Sequence, residues 1–162
     1  MKAQPLLSNS LPANFIDMQM KDPLHFVIID DDSINNMVCR AAIKSATGGE
    51  LAVCFNNPQE GLKYFENEYS AKPTNPILLF LDINMPEMNG WEWLEKYSSF
   101  PQSIKDKVTI YILSSSVNPT DIDQAHSNSL VKDYIVKPLT KAKVMNLLEH
   151  SDSNPMLGLK MD

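Results

Sequence analysis

PILLFLD, residues Pro76 to Asp82, sets the reading of this chain: an unbroken apolar run bounded by a proline and an aspartate. A run this short, with no polar alternation, suits a β-strand covered on both faces. Four further segments are short, several of them β-branched and continuously apolar: LHFVIID (Leu24 to Asp30), ELAVCF (Glu50 to Phe55), KVTIYIL (Lys107 to Leu113) and VKDYIVK (Val131 to Lys137). Helical patterns lie between them. Ser33 serves as an N-cap ahead of Ile34, Val38, Ala41 and Ser45, which fall on one side at helical spacing. Asn57-Pro58-Gln59-Glu60 is a cap, a first-turn proline and an acid, followed by Leu62, Phe65 and Tyr69 on the inner face. Asn118-Pro119-Thr120-Asp121 repeats that signal before Ile122 and Ala125. Asn89-Gly90 opens a segment with Trp91, Leu94 and Tyr97, and Thr140 precedes Val144, Leu147 and Leu148. Strict β-α alternation predicts an α/β domain, a doubly wound parallel sheet with right-handed crossovers and helices on both faces. Ligands of such open sheets bind beyond the carboxyl ends of the strands, where strand order reverses.

With 162 residues the chain has the size of one domain. Residues 1–22, rich in Ser, Asn, Pro and Met, are expected to form a loosely ordered leader, 23–150 the domain, and 151–162 a short tail without an output module. A net charge of -6 and a pI near 5.0 provide no broad positive field, which argues against direct nucleic-acid binding. Cys39 and Cys54 lie in apolar runs without metal-ligand spacing and are expected to be reduced core thiols. The opening MKAQPLLSNSLPANF lacks the apolar stretch of a signal peptide, and no segment has the length of a membrane span. A cytoplasmic location away from membranes is the expectation.

The chemistry gathers at the strand ends. The first strand ends in Asp30, Asp31 and Asp32, and the third ends in Asp82. An isolated aspartate at a strand end usually caps a turn or a helix. If these two strands are neighbours, however, their carboxylates converge, and mutual repulsion must raise a pKa or recruit a cation. Hard oxygen donors at a wet crevice suit Mg2+. The fourth strand is followed by Ser114, Ser115 and Ser116, and the fifth by Lys137 and Pro138. Each alone reads as loop chemistry or a solvated charge. Together they supply a carboxylate nucleophile, a metal site, a hydroxyl donor and a cation, the parts that phosphoryl transfer uses.

VIIDDDSINN, LLFLDINMPEMNGWEWL, ILSSS and YIVKP, in this order, resemble the receiver domain of two-component response regulators. The resemblance runs from about Leu24 to His150, and D-x-x-M-P-x-M-x-G from Asp82 to Gly90 is its most specific part. It implies a stand-alone receiver of flavodoxin-like (βα)5 fold with strand order 2-1-3-4-5. It further implies that Asp82 is the phosphoacceptor and that Asp30 and Asp31 hold Mg2+, with Asp31 the better direct ligand. Asn84 would complete the metal shell through its carbonyl. Lys137 would pair with a phosphoryl oxygen, ahead of a cis bond to Pro138. Ser114 or Ser115 would supply the switch hydroxyl, with Ser114 chosen because it directly follows the strand, and Tyr134 the switch aromatic. Asp32 would be solvated or would cap the helix. A sensor histidine kinase or histidine phosphotransfer protein would donate the phosphoryl group. The chain would be a phosphoacceptor switch with self-catalysed phosphotransfer and autodephosphorylation, not an enzyme. Its downstream partner would read the face built by the helix after Asn118, the last strand and the last helix.

The main rival is a phosphatase of the haloacid-dehalogenase type, with Ile29-Asp30-Asp31-Asp32-Ser33 as its D-x-D element and Asp30 as nucleophile. That family requires a further acid pair on a strand end after the lysine, and none follows Lys137. A flavin or dinucleotide site would require a glycine-rich turn after the first strand, in a chain with only 5 glycines.

Overall fold

The computed structural model describes residues 23–69 and 75–151. The expected leader, and all but the first residue of the expected tail, lie outside the described residues. All five expected strands form: β1 (His25–Ile29), β2 (Ala52–Phe55), β3 (Ile77–Leu81), β4 (Val108–Ser114) and β5 (Val131–Val136). They make one parallel sheet in the order β2-β1-β3-β4-β5, with the order reversing between β1 and β3.

The two-residue period of a strand divides the core in two. Val27, Ile29, Ile77, Leu79, Leu81, Ile110 and Ile112 face one side, where Phe65, Trp93, Leu94, Tyr97 and Ala125 cover them. Phe26, Ile28, Leu78, Phe80, Tyr111 and Leu113 face the other, under Cys39, Ala42, Ile43 and Val144. Every residue of β3 and β4 is buried, which is why β3 reads as an unbroken apolar run and β4 nearly so. β5 is an edge strand and leaves Lys132 and Asp133 exposed.

The helices are α1 (Ser33–Thr47), α2 (Pro58–Lys63), α3 (Gly90–Ser98), α4 (Gln102–Lys105), α5 (Pro119–Ser127) and α6 (Lys141–Ser151). Among the described residues none is long and apolar enough to cross a membrane. Three caps stand where the sequence places them. Asn57 caps α2, Asn118 caps α5, and Asn89 and Glu92 form a reciprocal capping box on α3.

Two expectations for α1 are corrected. Its N-cap is Asp32, whose Oδ1 accepts from the Ile34 and Asn35 amides at 2.9 and 3.4 Å; Ser33 is already the first helical residue. Ile34 and Val38 do not form the inner face, being 69% and 40% exposed. The buried stripe is Asn36, Cys39, Ala42 and Ile43, and it carries a polar residue. Reading apolar spacing alone therefore selected the outer side. α2 runs directly into a π-helical segment, Tyr64–Tyr69, and α4 is a single turn; neither was foreseen.

Candidate functional site

The sheet register builds the site. Ile29 lies beside Leu81, so the next residues, Asp30 and Asp82, emerge side by side. The ladder continues through them, Asp30 N donating to Phe55 O at 3.1 Å and Asp82 N to Ile29 O at 3.0 Å. One strand further, Ser114 pairs with Val136, and Lys137 N donates to Ser114 O at 2.9 Å. Asp30, Asp82, Ser114 and Lys137 are thus brought to one end of the sheet by backbone pairing alone.

Carboxylate oxygens of Asp30, Asp31 and Asp82 lie within 4.8 Å of one another. Asp30 and Asp82 are buried and Asp31 is exposed. Lys137 Nζ stands 2.7 Å from Asp30 Oδ2 and 3.5 Å from Asp82 Oδ2. Asp30 is heavily engaged. Its Oδ1 accepts from Asp32 N at 2.8 Å, and its Oδ2 accepts from Asn35 Nδ2 at 2.6 Å as well as from the lysine. Asp82 Oδ1 accepts only a long bond from Asn84 N, 3.3 Å.

Burial, followed by the charge of Asp30, raises the Asp82 carboxyl above its ordinary range, against the lowering influence of Lys137 and the Asn84 amide. Burial pulls the Lys137 ammonium down, but its hydrogen bond to Asp30 and the charges of both acids outweigh it, leaving the pKa raised. Two buried carboxylates therefore share one ammonium, with the exposed Asp31 carboxylate close to both acids. This all-oxygen, electron-rich donor set fits a hard divalent cation of the Mg2+ class.

The loop after β3 is shaped for this task. A Cβ on Gly90 would meet Asp82 O at 2.5 Å and Ile83 Cα at 2.8 Å, so only glycine lets α3 start against the acid. Glu87 holds φ at 68°, a left-handed conformation that a side-chain-bearing residue adopts at a cost of about 1 kcal/mol or more. Met85 and Met88 anchor the loop in the core, and Asn84 is exposed beside Asp82.

Of the serines, Ser114 is buried and Ser115 is exposed. Ser114 Oγ accepts from Ser116 N at 3.1 Å, and Ser116 Oγ donates to Asp121 Oδ2 at 2.6 Å. Tyr134 OH donates to Ser116 O at 2.8 Å, so β5 and α5 both hold the loop after β4. The Lys137–Pro138 peptide bond is cis.

Three neighbours escaped the sequence reading. Asn35 binds Asp30 as described, while Asn36 Nδ2 donates to Asp30 O at 2.9 Å and Asn56 Oδ1 at 2.6 Å. Two consecutive asparagines inside a helix already capped by Asp32 were the available signal, since asparagine is a poor helix former there. Lys143, in the first turn of α6, donates from Nζ to Val136 O at 2.7 Å and Pro138 O at 2.9 Å, bracing the segment that carries Lys137.

Comparison with known proteins agrees with this geometry. Residues 26–149 match the response regulator receiver domain. The two-component response regulator ORR41 of Oryza sativa subsp. japonica is 28% identical over 121 residues, covering 75% of this chain and 88% of that protein. The sensory/regulatory protein RpfC of Xanthomonas campestris pv. campestris is 25% identical over 126 residues, 77% of this chain but only 16% of its own length. A two-component response regulator from Cytophaga hutchinsonii superposes with a TM-score of 0.74 at 29% identity, covering 82% of this chain and 99% of that one. A receiver protein from Dyadobacter fermentans shares the fold, with a TM-score of 0.71 at 23% identity over 79% of this chain and 97% of its own. The chain belongs to the response regulator receiver family. Members are phosphoacceptor switches of two-component systems that take a phosphoryl group on aspartate from histidine kinases or phosphotransfer proteins, typically with Mg2+.

Proposed function

We propose that this chain is a single-domain, cytoplasmic response regulator. In this reading it accepts a phosphoryl group on Asp82 from a phosphohistidine of a sensor kinase or phosphotransfer protein, and thereby changes its affinity for a downstream protein. One observation carries the choice of nucleophile. Asp30 spends both oxygens on three short donors, whereas Asp82 Oδ2 meets only Lys137 at 3.5 Å. A carboxylate oxygen must be loosely held to attack, and Asp82 Oδ2 is held only by this long contact. The same contrast disfavours the phosphatase, which would use Asp30.

In the reaction an Asp82 oxygen forms a bond to phosphorus as the phosphorus–nitrogen bond to the donor imidazole breaks, and the imidazole leaves with the bonding pair. Water later attacks the acyl phosphate, releasing inorganic phosphate and restoring the carboxylate. Asp30, Asp31, Asp82 and the Asn84 carbonyl would hold Mg2+, with Asp31 the better direct ligand. When bound, the ion neutralises charge on the phosphoryl oxygens. Lys137 already lies beside Asp82 and needs only to exchange a carboxylate oxygen for a phosphoryl oxygen. Ser114 supplies a hydroxyl from the neighbouring strand, and its movement would reach Tyr134 through the Ser116 carbonyl that the tyrosine grips. The face of α5, β5 and α6 would carry the change to a partner.

The test is incubation with phosphoramidate and Mg2+, followed by intact-mass spectrometry. A single phosphoryl addition that requires Mg2+ and is lost in Asp82→Asn is expected. Equal modification of Asp82→Asn would remove the assignment.

A further inference from the structure

At rest Lys137 is shared between two acids, and a phosphoryl group on Asp82 would compete with Asp30 for its ammonium. At rest its ammonium is seated on Asp30 Oδ2 at 2.7 Å, nearer than on Asp82 Oδ2 at 3.5 Å. Drawn toward a phosphoryl group on Asp82, it would loosen its hold on Asp30, whose side chain is only 2% exposed. A buried carboxylate oxygen that loses its only strong donor is costly, and that cost would oppose phosphorylation. Asp30 Oδ2 has a second donor. Asn35 Nδ2 binds the same oxygen at 2.6 Å from the first turn of α1.

We infer that Asn35 is a positioning residue that eases the transfer of Lys137 from Asp30 to the phosphoryl group, by keeping Asp30 Oδ2 hydrogen-bonded after the lysine has gone. The surroundings support this role. Asn36, the next residue, fixes the Asp30 carbonyl at 2.9 Å, and Asp32 N fixes Oδ1 at 2.8 Å, so Asp30 stays in place without the lysine. The amide is neutral and cannot follow the charge to the phosphoryl group, whereas the ammonium can. Asn35 Nδ2 also lies 3.6 Å from Cys39 Sγ, a weak acceptor that offers no competing claim on it.

Asn35 acts through Lys137, so its loss has a signature that a packing role lacks. The inference rests on Asp82 being the phosphoacceptor. Mg2+ affinity and beryllofluoride affinity at saturating Mg2+ are measured from tryptophan fluorescence in wild type, Asn35→Ala, Lys137→Ala and the double variant, with circular dichroism verifying folding. Asn35→Ala suits the helix, because alanine is the better helix former. Beryllofluoride affinity is expected to fall several-fold in Asn35→Ala: the hydrogen bond is made in both states, so only its added worth once the lysine has moved is read. Mg2+ affinity is expected to stay within about twofold, and in the Lys137→Ala background the Asn35 effect should vanish to within about twofold.

Three results would overturn the inference alone while wild type still binds beryllofluoride. They are unchanged beryllofluoride affinity in Asn35→Ala, an equal loss for Mg2+ and beryllofluoride, or a full Asn35 effect that persists without Lys137. Failure of wild type to bind beryllofluoride would instead remove the Asp82 reading, and the inference with it.

Discussion

Replacing Lys137 by alanine withdraws the cation that, among the described residues, is seated on two buried acids, and the size of the effect follows from their burial. The side chains of Asp30 and Asp82 are 2% and 6% exposed, and that of Lys137 is 17% exposed. Removing one partner of a buried ion pair costs about 3–5 kcal/mol, because the remaining charge is left out of water. The lysine's partial exposure lets water reach the gap, which puts the expected cost near the lower end, about 3 kcal/mol. At about 4 °C per kcal/mol for a domain of this size, Tm should fall by roughly 10 °C in EDTA at neutral pH. The fold should survive.

The pH dependence has a definite sign. Asp82 has a raised folded pKa, so its contribution to stability is fully present below the unfolded value and is lost as pH rises through the folded one. Lys137 lowers that pKa, so its removal raises it further. The variant's deficit should therefore be largest at neutral pH and shrink as pH falls toward the carboxyl range. For Lys137 itself, with a pKa raised above 10.5, the contribution is complete at neutral pH and disappears only as pH rises through the folded value. Mg2+ at about 100 times its dissociation constant should return about 2.7 kcal/mol. The assay is thermal and urea unfolding by circular dichroism, with EDTA or Mg2+, across pH. A variant as stable as wild type in EDTA at neutral pH would refute the reasoning, since the acids would then not depend on the lysine.

Gly90→Ala drives a Cβ to 2.5 Å from Asp82 O, so urea unfolding should show a loss of about 1–3 kcal/mol, and Mg2+ titration weaker binding as the acid is displaced. Asp31→Asn should remove most Mg2+ affinity with little change in stability, because Asp31 is the exposed member of the acidic group; the fluorescence of Trp91 and Trp93 reports it. Burial pushes the Cys39 thiol up to about 12, so an aromatic disulfide reagent near pH 8 should modify Cys54 alone in the folded protein and both thiols in urea.

The fold was legible because strand burial writes itself directly into sequence. β3 and β4 are central and fully covered, so ILLFL is wholly apolar and VTIYILS admits only small hydroxyl residues and a tyrosine among its aliphatics. Capping asparagines at 57, 89 and 118 were equally readable, since a cap is a local hydrogen bond. The inner face of α1 was not. Its stripe contains Asn36, buried because it ties Asp30 to Asn56, the latter 20 residues beyond Asn36 itself, and apolar periodicity is blind to such a partner. Lys143 escaped for a similar reason: its acceptors are carbonyls of a turn whose path depends on β5. The acids, lysine and serine of the site were visible at strand ends, because parallel pairing carries strand ends to a common edge. What holds them there, Asn35 above all, is visible only once α1 is laid against β1.

Borohydride trapping of the acyl phosphate addresses the central claim most directly. The protein is incubated with acetyl phosphate and Mg2+, reduced, digested and mapped by mass spectrometry. The label should sit on Asp82, require Mg2+ and be absent from Asp82→Asn. A label on Asp30, or rapid turnover of phosphate esters that survives Asp82→Asn, would contradict the account.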